Sequence, residues 1–363
     1  MKIVEALLVE PGRIELSEKE VPALSGDDVL VSVVSCGVCT SELPVYRGEV
    51  HGVPGVSFRY AEYPCYLGHE ISGTVVDTGP EVKSLKPGDR VTGVAYRGSG
   101  FATHVVDSEK VFVMVPEGIP IEHALGEPLM AVTNIVRMSE PDFGDFVFIV
   151  GDGFMSLLAV SVLARYPLKA LVVAGHHNNR LALAKEFGAT HTVNTKTKDP
   201  YWVTRRLVDG PSHNPGVTPW PGGVDIAFDF AGKMSTLKLC ASLCKPKRRA
   251  RLMMPSFYGQ EPFAIGHYLM NRAPSLVVCH PAHSRDVMDD LRRAMWALEE
   301  GIFPIGRLIT HAFGLEEVET AMETAQARSD GYIKGIVVPD FSKLESESPY
   351  TIAGCEKGRI IGE

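Results

Sequence analysis

Positive charge is in short supply in this chain of 363 residues: 36 Lys and Arg against 44 Asp and Glu leave a formal net charge of −8. Nucleic acid is excluded as a main partner, because phosphate binding needs a concentrated cationic field. The single basic run, residues 245–251, reads as a solvated turn before a strand, with a cofactor phosphate or a neighbouring subunit as alternative contacts. Cysteine is sparse and odd in number, 7 scattered residues, which is not a disulfide framework. The first residues, Met1-Lys2-Ile3-Val4-Glu5-Ala6, enter an alternating strand directly, without the apolar stretch of a secretory signal. The most apolar window, 146–164, is broken by Gly151-Asp152-Gly153, so it reads as a buried strand and helix rather than a membrane span. Neither an internal repeat nor a low-complexity segment is present. These absences lead us to expect a soluble, cytoplasmic protein with no membrane partner.

What is present is the material of two ordinary cores: 45% hydrophobic and 22% charged residues over a two-domain length. Up to about residue 117 the pattern is all β. Short strand runs at 29–34, 73–79, 90–95, 101–106 and 110–115 are punctuated by turns such as Lys86-Pro87-Gly88-Asp89. Beyond Pro120 the character changes. Helical spacing over 122–139 precedes strand candidates at 146–150, 170–174, 224–228, 250–254 and 275–279, with helices at 154–165 and 180–187. Alternation of this kind predicts a parallel sheet covered by helices on both faces. The Pro/Gly-rich stretch 199–223 reads as an exposed loop around a short helix at 202–208. Helices at 286–300 and 315–326, a strand at 334–338 and a polar, poorly ordered tail beyond Asp340 complete the expectation.

The segment from Val147 to Ser156 reads strand, tight turn, helix start. Gly151 permits the turn and Gly153 lets a pyrophosphate approach the backbone; Phe154 and Met155 begin the helix whose N-terminal amides and dipole favour an anion. Ser156 stands where a third glycine is usual. At the end of the next strand, an NAD site would place Asp or Glu to accept from the ribose 2′-hydroxyl. Gly175 occupies that position here, and no neighbouring carboxylate follows before Glu186. His176, His177 and Arg180 could instead meet a 2′-phosphate, so NADP is favoured and NAD remains possible. Otherwise the histidines form a polar surface turn.

Cys36-Gly37-Val38-Cys39-Thr40-Ser41-Glu42, Gly68-His69-Glu70, Gly88-Asp89-Arg90-Val91 and Gly151-Asp152-Gly153 occur in this order. Together they resemble the zinc-dependent alcohol and polyol dehydrogenase branch of the medium-chain dehydrogenase/reductase family. The resemblance implies an α/β architecture, a GroES-like, mainly-β catalytic domain joined to a doubly wound Rossmann domain. The expected boundaries are 1–125, 126–283 for the cofactor domain, and 284–363 returning to the first domain. It implies Cys39 and His69 as ligands of one catalytic zinc, Glu70 as the glutamate beside the metal, and Glu127, in a Glu-Pro pair resembling the polyol dehydrogenases, as a further candidate ligand. Taken singly, Cys39 and His69 would pass for core residues. Ser41 matches the hydroxyl that relays the substrate proton, although a capping role is its ordinary alternative. Pro44 stands where relatives often continue the relay with a histidine. Gly232, after Asp229-Phe230-Ala231, matches a segment near the cofactor. The four-cysteine lobe of many relatives is missing between Val94 and Phe101, so one zinc is expected.

The reading is therefore hydride transfer between a small secondary alcohol (a polyol, sugar or cyclitol) and NAD(P), by a homodimer or homotetramer. Two alternatives stay open: a zinc-free quinone or enone reductase of the same superfamily, against which Cys39 with His69 counts, and a non-enzymatic cofactor-binding relative, against which Ser41 counts as well.

Overall fold

The computed structural model describes residues 1–50, 60, 62–209, 222–246, 250–258, 262–328, 331–346 and 350–352. Two compact units emerge. The first gathers the described parts of Met1–Met130, Leu291–Gly301 and Ile305–Glu363, and the second those of Ala131–Asp290 and Ile302–Pro304.

The first unit is built on β-strands. Lys2–Glu10 pairs antiparallel with Arg13–Glu20 on one side and Cys65–Tyr66 on the other. A larger sheet centres on Asp28–Gly37, which pairs with Glu70–Thr78, His104–Ser108 and Lys334–Val337. The sequence of Asp28–Gly37 explains its central place. Val29, Leu30, Val31, Val33, Val34 and Cys36 are all buried, so both faces are covered, and a β-branched run suits such a surface. Cys36 and Cys65 lie in the same apolar core as these valines, where they pack as small hydrophobic residues.

Two stretches of the tail, 341–346 and 350–352, are not the loose appendage that its polarity suggests, while 347–349 and 353–363 lie outside the described residues. Residues 341–346 and 350–352 are docked on the first unit. Arg90 pairs with Glu345 at 2.6 Å, and the buried Glu122 carboxylate accepts the backbone N–H groups of Glu345 and Ser346. Tyr350 is buried, its hydroxyl 3.0 Å from His123 Nε2, and Thr351–Ile352 adds a parallel strand beside Ile309–Phe313. The segment's backbone hydrogen bonds find partners that local composition does not reveal.

The second unit is the expected parallel sheet. Its strand order is His191–Asn194, Ala170–Gly175, Phe146–Val150, Ile226–Asp229, Arg251–Met254 and Ser275–Val278. Phe148, Val172, Ala227 and Leu252 are buried in its core with Leu237 and Cys240 of the helix Met234–Leu243. His191–Asn194 was not visible in the sequence: only Val193 among its four residues is buried, so it has no apolar run. The expected helix at 202–208 extends over Pro200–Asp209, while most of the Pro/Gly-rich loop lies outside the described residues. Two charges of the basic run are already matched, Lys245 with Asp225 at 2.7 Å and Arg251 with Glu140. Among the described residues, no helix is long and apolar enough to cross a membrane.

Candidate active site

Thirty positions separate Cys39 from His69, and one strand pairing closes the gap. Asp28–Gly37 runs antiparallel to Glu70–Thr78 with Gly37 opposite Glu70. Cys39 follows the end of one strand and His69 precedes the start of the other, so the register carries both to the same edge. Gly37 is required by space: a Cβ there would lie 1.9 Å from Glu70 Oε2. Sulfur, ring nitrogen and carboxylate oxygen of Cys39, His69 and Glu70 all fall within 4.8 Å of one another.

Glu42, to which the sequence attached no role, holds this arrangement. It is fully buried, and its carboxylate accepts from Gly68 N–H at 2.9 Å and from the Tyr60 hydroxyl at 3.1 Å. His69 Nδ1 is 2.8 Å away. A proton on Nδ1 donating to Glu42 leaves Nε2 with its lone pair available to a metal, the usual way a carboxylate orients a histidine ligand. Burial works against a charged imidazole, but Glu42 and Cys39 outweigh it and hold the His69 pKa well above its ordinary value. The spacing Cys-x-x-Glu was the only signal for Glu42.

Lys334 was missed altogether, because nothing near it in the chain marks it. Its buried ammonium is 2.5 Å from Glu70 Oε2 and donates to the Val38 carbonyl at 3.0 Å. Beyond this ion pair, Glu70 Oε2 has no hydrogen-bond partner among the described residues. Burial opposes the charge on Lys334, yet Glu70 and Cys39 overcome it and keep the lysine above its ordinary pKa. Glu127, at the start of the helix Gly126–Ser139, is outside the group of three, but its charge is felt there. Burial raises its carboxyl pKa against the pull of His69 and Lys334, and Glu70 and Glu42 add to the rise. Ser41 is exposed, with Oγ 3.1 Å from Cys39 Sγ.

The glycine turn of the second unit follows Phe146–Val150. Gly151 has φ +116°, outside the range of ordinary side chains, and Gly153 caps the helix Phe154–Leu163 with nothing among the described residues within 4 Å of its missing Cβ. The cap position is therefore open to a ligand. Phe154 is buried and Met155 half-buried at the first helical turn. Ser156, in place of the third glycine, donates to the Gly151 carbonyl at 2.7 Å and so braces the turn. Gly232 follows Asp229, whose buried carboxylate accepts from the Ala231 and Gly232 N–H groups at 3.0 and 3.2 Å.

At the end of Ala170–Gly175 the sequence reading needs a correction. A carboxylate is present, contributed by Asp152 from the glycine turn. Asp152 Oδ2 accepts from the His176 and His177 N–H groups, both at 2.8 Å. His177 Nδ1 is 3.1 Å from the same oxygen, and the Arg180 guanidinium is buried at 4.0 Å from Oδ1. His176 is exposed and turned to Thr195, Nδ1 to Oγ1 being 2.6 Å. Arg180 thus lies against Asp152 instead of projecting as a surface cation.

The chain matches the family described as alcohol dehydrogenase GroES-like domain over residues 25–117 and that described as zinc-binding dehydrogenase over 155–292. It is 24% identical to sorbitol dehydrogenase of Bacillus subtilis over 92% of this chain and 97% of that one. It is 29% identical to D-xylulose reductase of Saccharomyces cerevisiae over 66% of this chain and 73% of the relative. A zinc-binding dehydrogenase from Sinorhizobium meliloti 1021, bound to NADP, shares the fold with a TM-score of 0.77 at 24% identity, covering 93% of this chain and all of that one (100%). With both family matches falling on the units that carry the Cys39–His69–Glu70 group and the glycine turn, the chain belongs to the zinc-dependent alcohol and polyol dehydrogenase branch of the medium-chain dehydrogenase/reductase family.

Proposed function

We propose that this protein is a zinc-dependent dehydrogenase that transfers hydride between a secondary alcohol of polyol, sugar or cyclitol type and NAD(P). The observation that carries the reading is the approach of one thiol, one imidazole and one carboxylate within 4.8 Å. Such a donor set suits catalytic zinc, which takes sulfur, nitrogen and oxygen ligands and keeps a position open. Cys39, His69 and Glu70 would hold the ion, with Glu127 as the alternative carboxylate. When bound, the zinc supplies a Lewis acid that lowers the pKa of a substrate hydroxyl, and the coenzyme supplies the hydride acceptor.

The chain's own residues do the rest. Glu42 fixes the tautomer and orientation of His69 through Nδ1. Lys334 offsets the charge of Glu70, which leaves the buried group less anionic than two or three carboxylates alone would make it. Ser41 Oγ, exposed beside Cys39, accepts the proton released by the substrate and passes it to solvent. In the second unit, Gly151, Gly153 and the first turn at Phe154 and Met155 receive the pyrophosphate. Gly175, His176, His177 and Arg180 surround the adenosine ribose, where Arg180 and the imidazole donors favour NADP and leave NAD possible. The polyol class is supported by the Glu127-Pro128 pair and by the sorbitol and xylulose relatives.

We further propose a cytoplasmic homodimer or homotetramer. The edge strand Ser275–Val278 supports association, since Leu276 and Val278 are 45% and 54% exposed. Metal analysis of purified protein, joined to a polyol screen followed by NAD(P)H absorbance, tests the activity. Zinc together with turnover of a polyol supports it, and turnover of enones by zinc-free protein would replace it with the quinone reductase reading. Sedimentation equilibrium giving a monomer would remove the oligomer.

A further inference from the structure

We infer that Asp152 is the residue that reads the 2′ position of the coenzyme's adenosine ribose, limiting how well a 2′-phosphate is accepted against a 2′-hydroxyl; the inference rests on the dehydrogenase reading above. In a Rossmann unit that discrimination belongs to the end of the second strand, where a carboxylate accepts from the hydroxyl or a cationic group meets the phosphate. Gly175 ends that strand here, and it has no side chain. The volume is nevertheless filled. A Cβ on Gly175 would lie 2.5 Å from Asp152 Oδ2 and 2.6 Å from Asp152 Cβ and Cγ. Asp152 therefore places a carboxylate, from the glycine turn, where a side chain at 175 would stand. Gly175 is what makes room for it.

Two consequences follow from the contacts. The His176 and His177 N–H groups, donors that a phosphate at this strand end would seek, already donate to Asp152 Oδ2 at 2.8 Å each. Of the three side chains named for a phosphate, His177 is 3.1 Å from the carboxylate and Arg180 4.0 Å from it. A 2′-phosphate, with a charge of about −2 near neutral pH, must either approach a buried carboxylate or pull these partners away from it. A 2′-hydroxyl meets no such opposition and donates to Oδ1, the oxygen that neither backbone N–H occupies. His176, Arg180 and Asp152 thus work against each other, and the net preference is their difference.

The test is equilibrium binding to the full-length, zinc-loaded protein, read by calorimetry with NAD+ and NADP+ separately. Asp152→Asn keeps an oxygen for the two backbone donors and removes the charge. It is expected to lower the ratio of the NADP+ to the NAD+ dissociation constant by about tenfold or more. Asp152→Ser, smaller and also uncharged, is the second variant and should move the ratio in the same direction. Wild-type binding of either dinucleotide, with a ratio that stays within about twofold in both variants, overturns the inference and leaves the dehydrogenase reading standing. Failure of the wild type to bind either dinucleotide overturns that reading, and this inference falls with it.

Discussion

At the scale of single residues, the candidate metal site depends on the groups behind its ligands as well as on the ligands themselves. Cys39→Ser and His69→Ala each remove a proposed ligand and are expected to abolish turnover and bound zinc while coenzyme affinity, which belongs to the other unit, stays at the wild-type level. Turnover surviving in both would rule out the zinc reading. Glu42→Gln keeps the volume of the side chain but gives up its charge beside His69. Its zinc affinity should fall about 10–100-fold, measured by competition with a chelating dye. Unchanged affinity would mean that Glu42 is a packing residue and no more. Lys334→Met leaves the buried Glu70 carboxylate without its cation. In zinc-free protein this should cost roughly 3–5 kcal/mol of stability in denaturant titration, because a buried charge then loses the cation paired with it.

Among the elements, the pairing of Asp28–Gly37 with Glu70–Thr78 decides whether the site exists. Gly37→Ala brings a methyl onto Glu70 Oε2, so it should destabilise the protein by roughly 1–3 kcal/mol and lower zinc content as well. A fully stable, fully loaded variant would show that the strand edge yields more easily than its packing implies. The docked C-terminal segment has a pH signature of its own. Burial alone would push the Glu122 carboxyl up, but the Ser346 hydroxyl and the backbone N–H groups of Ser346 and Glu345 outweigh it and hold its pKa below the usual carboxylate value. A lowered native pKa contributes stability above the unfolded value of 4.5, and that contribution is lost as pH falls through the native pKa. Protection of the 345 and 346 amides from hydrogen exchange should accordingly persist at neutral pH and fade as the pH falls below 4.5 and through the native pKa. Glu122→Gln should remove this pH dependence.

For the whole molecule, the residues proposed for zinc and for coenzyme lie in different units, so the two bindings should be separable. A chain carrying one metal site per copy should release a single zinc on denaturation in chelator; two would contradict the reading of the missing cysteine lobe. Saturating coenzyme at about 100 times its dissociation constant should stabilise the folded state by about 2.7 kcal/mol, read as a rise in melting temperature, and should still do so in Cys39→Ser. The same separation shows how far the chain could be read. The second unit was largely legible: buried strands such as Phe146–Val150 and Ala170–Gly175 are continuous apolar runs that end at or just before a glycine. His191–Asn194 escaped because an edge strand with exposed side chains carries no such signature. In the first unit the apolar strands around 29–34, 73–79, 90–95 and 334–338 were legible, but Arg13–Glu20, with no buried residue, and the short turns Thr40–Glu42 and Leu43–Tyr46, too brief to show a period, were not.

The sequence by itself determined which donors this protein owns, the order of its motifs, the glycine turn, and the alternation that makes the second unit a parallel sheet. Those properties are local, set by side-chain chemistry and by periodicity over a few residues. Tertiary structure alone decided that Glu42 faces His69, that Lys334 balances Glu70, and that the carboxylate beside Gly175 comes from Asp152. Each of these is a contact between segments whose approach is set by strand register and by the absence of a Cβ, and neither the distance nor the free volume is written in the neighbourhood of any one residue.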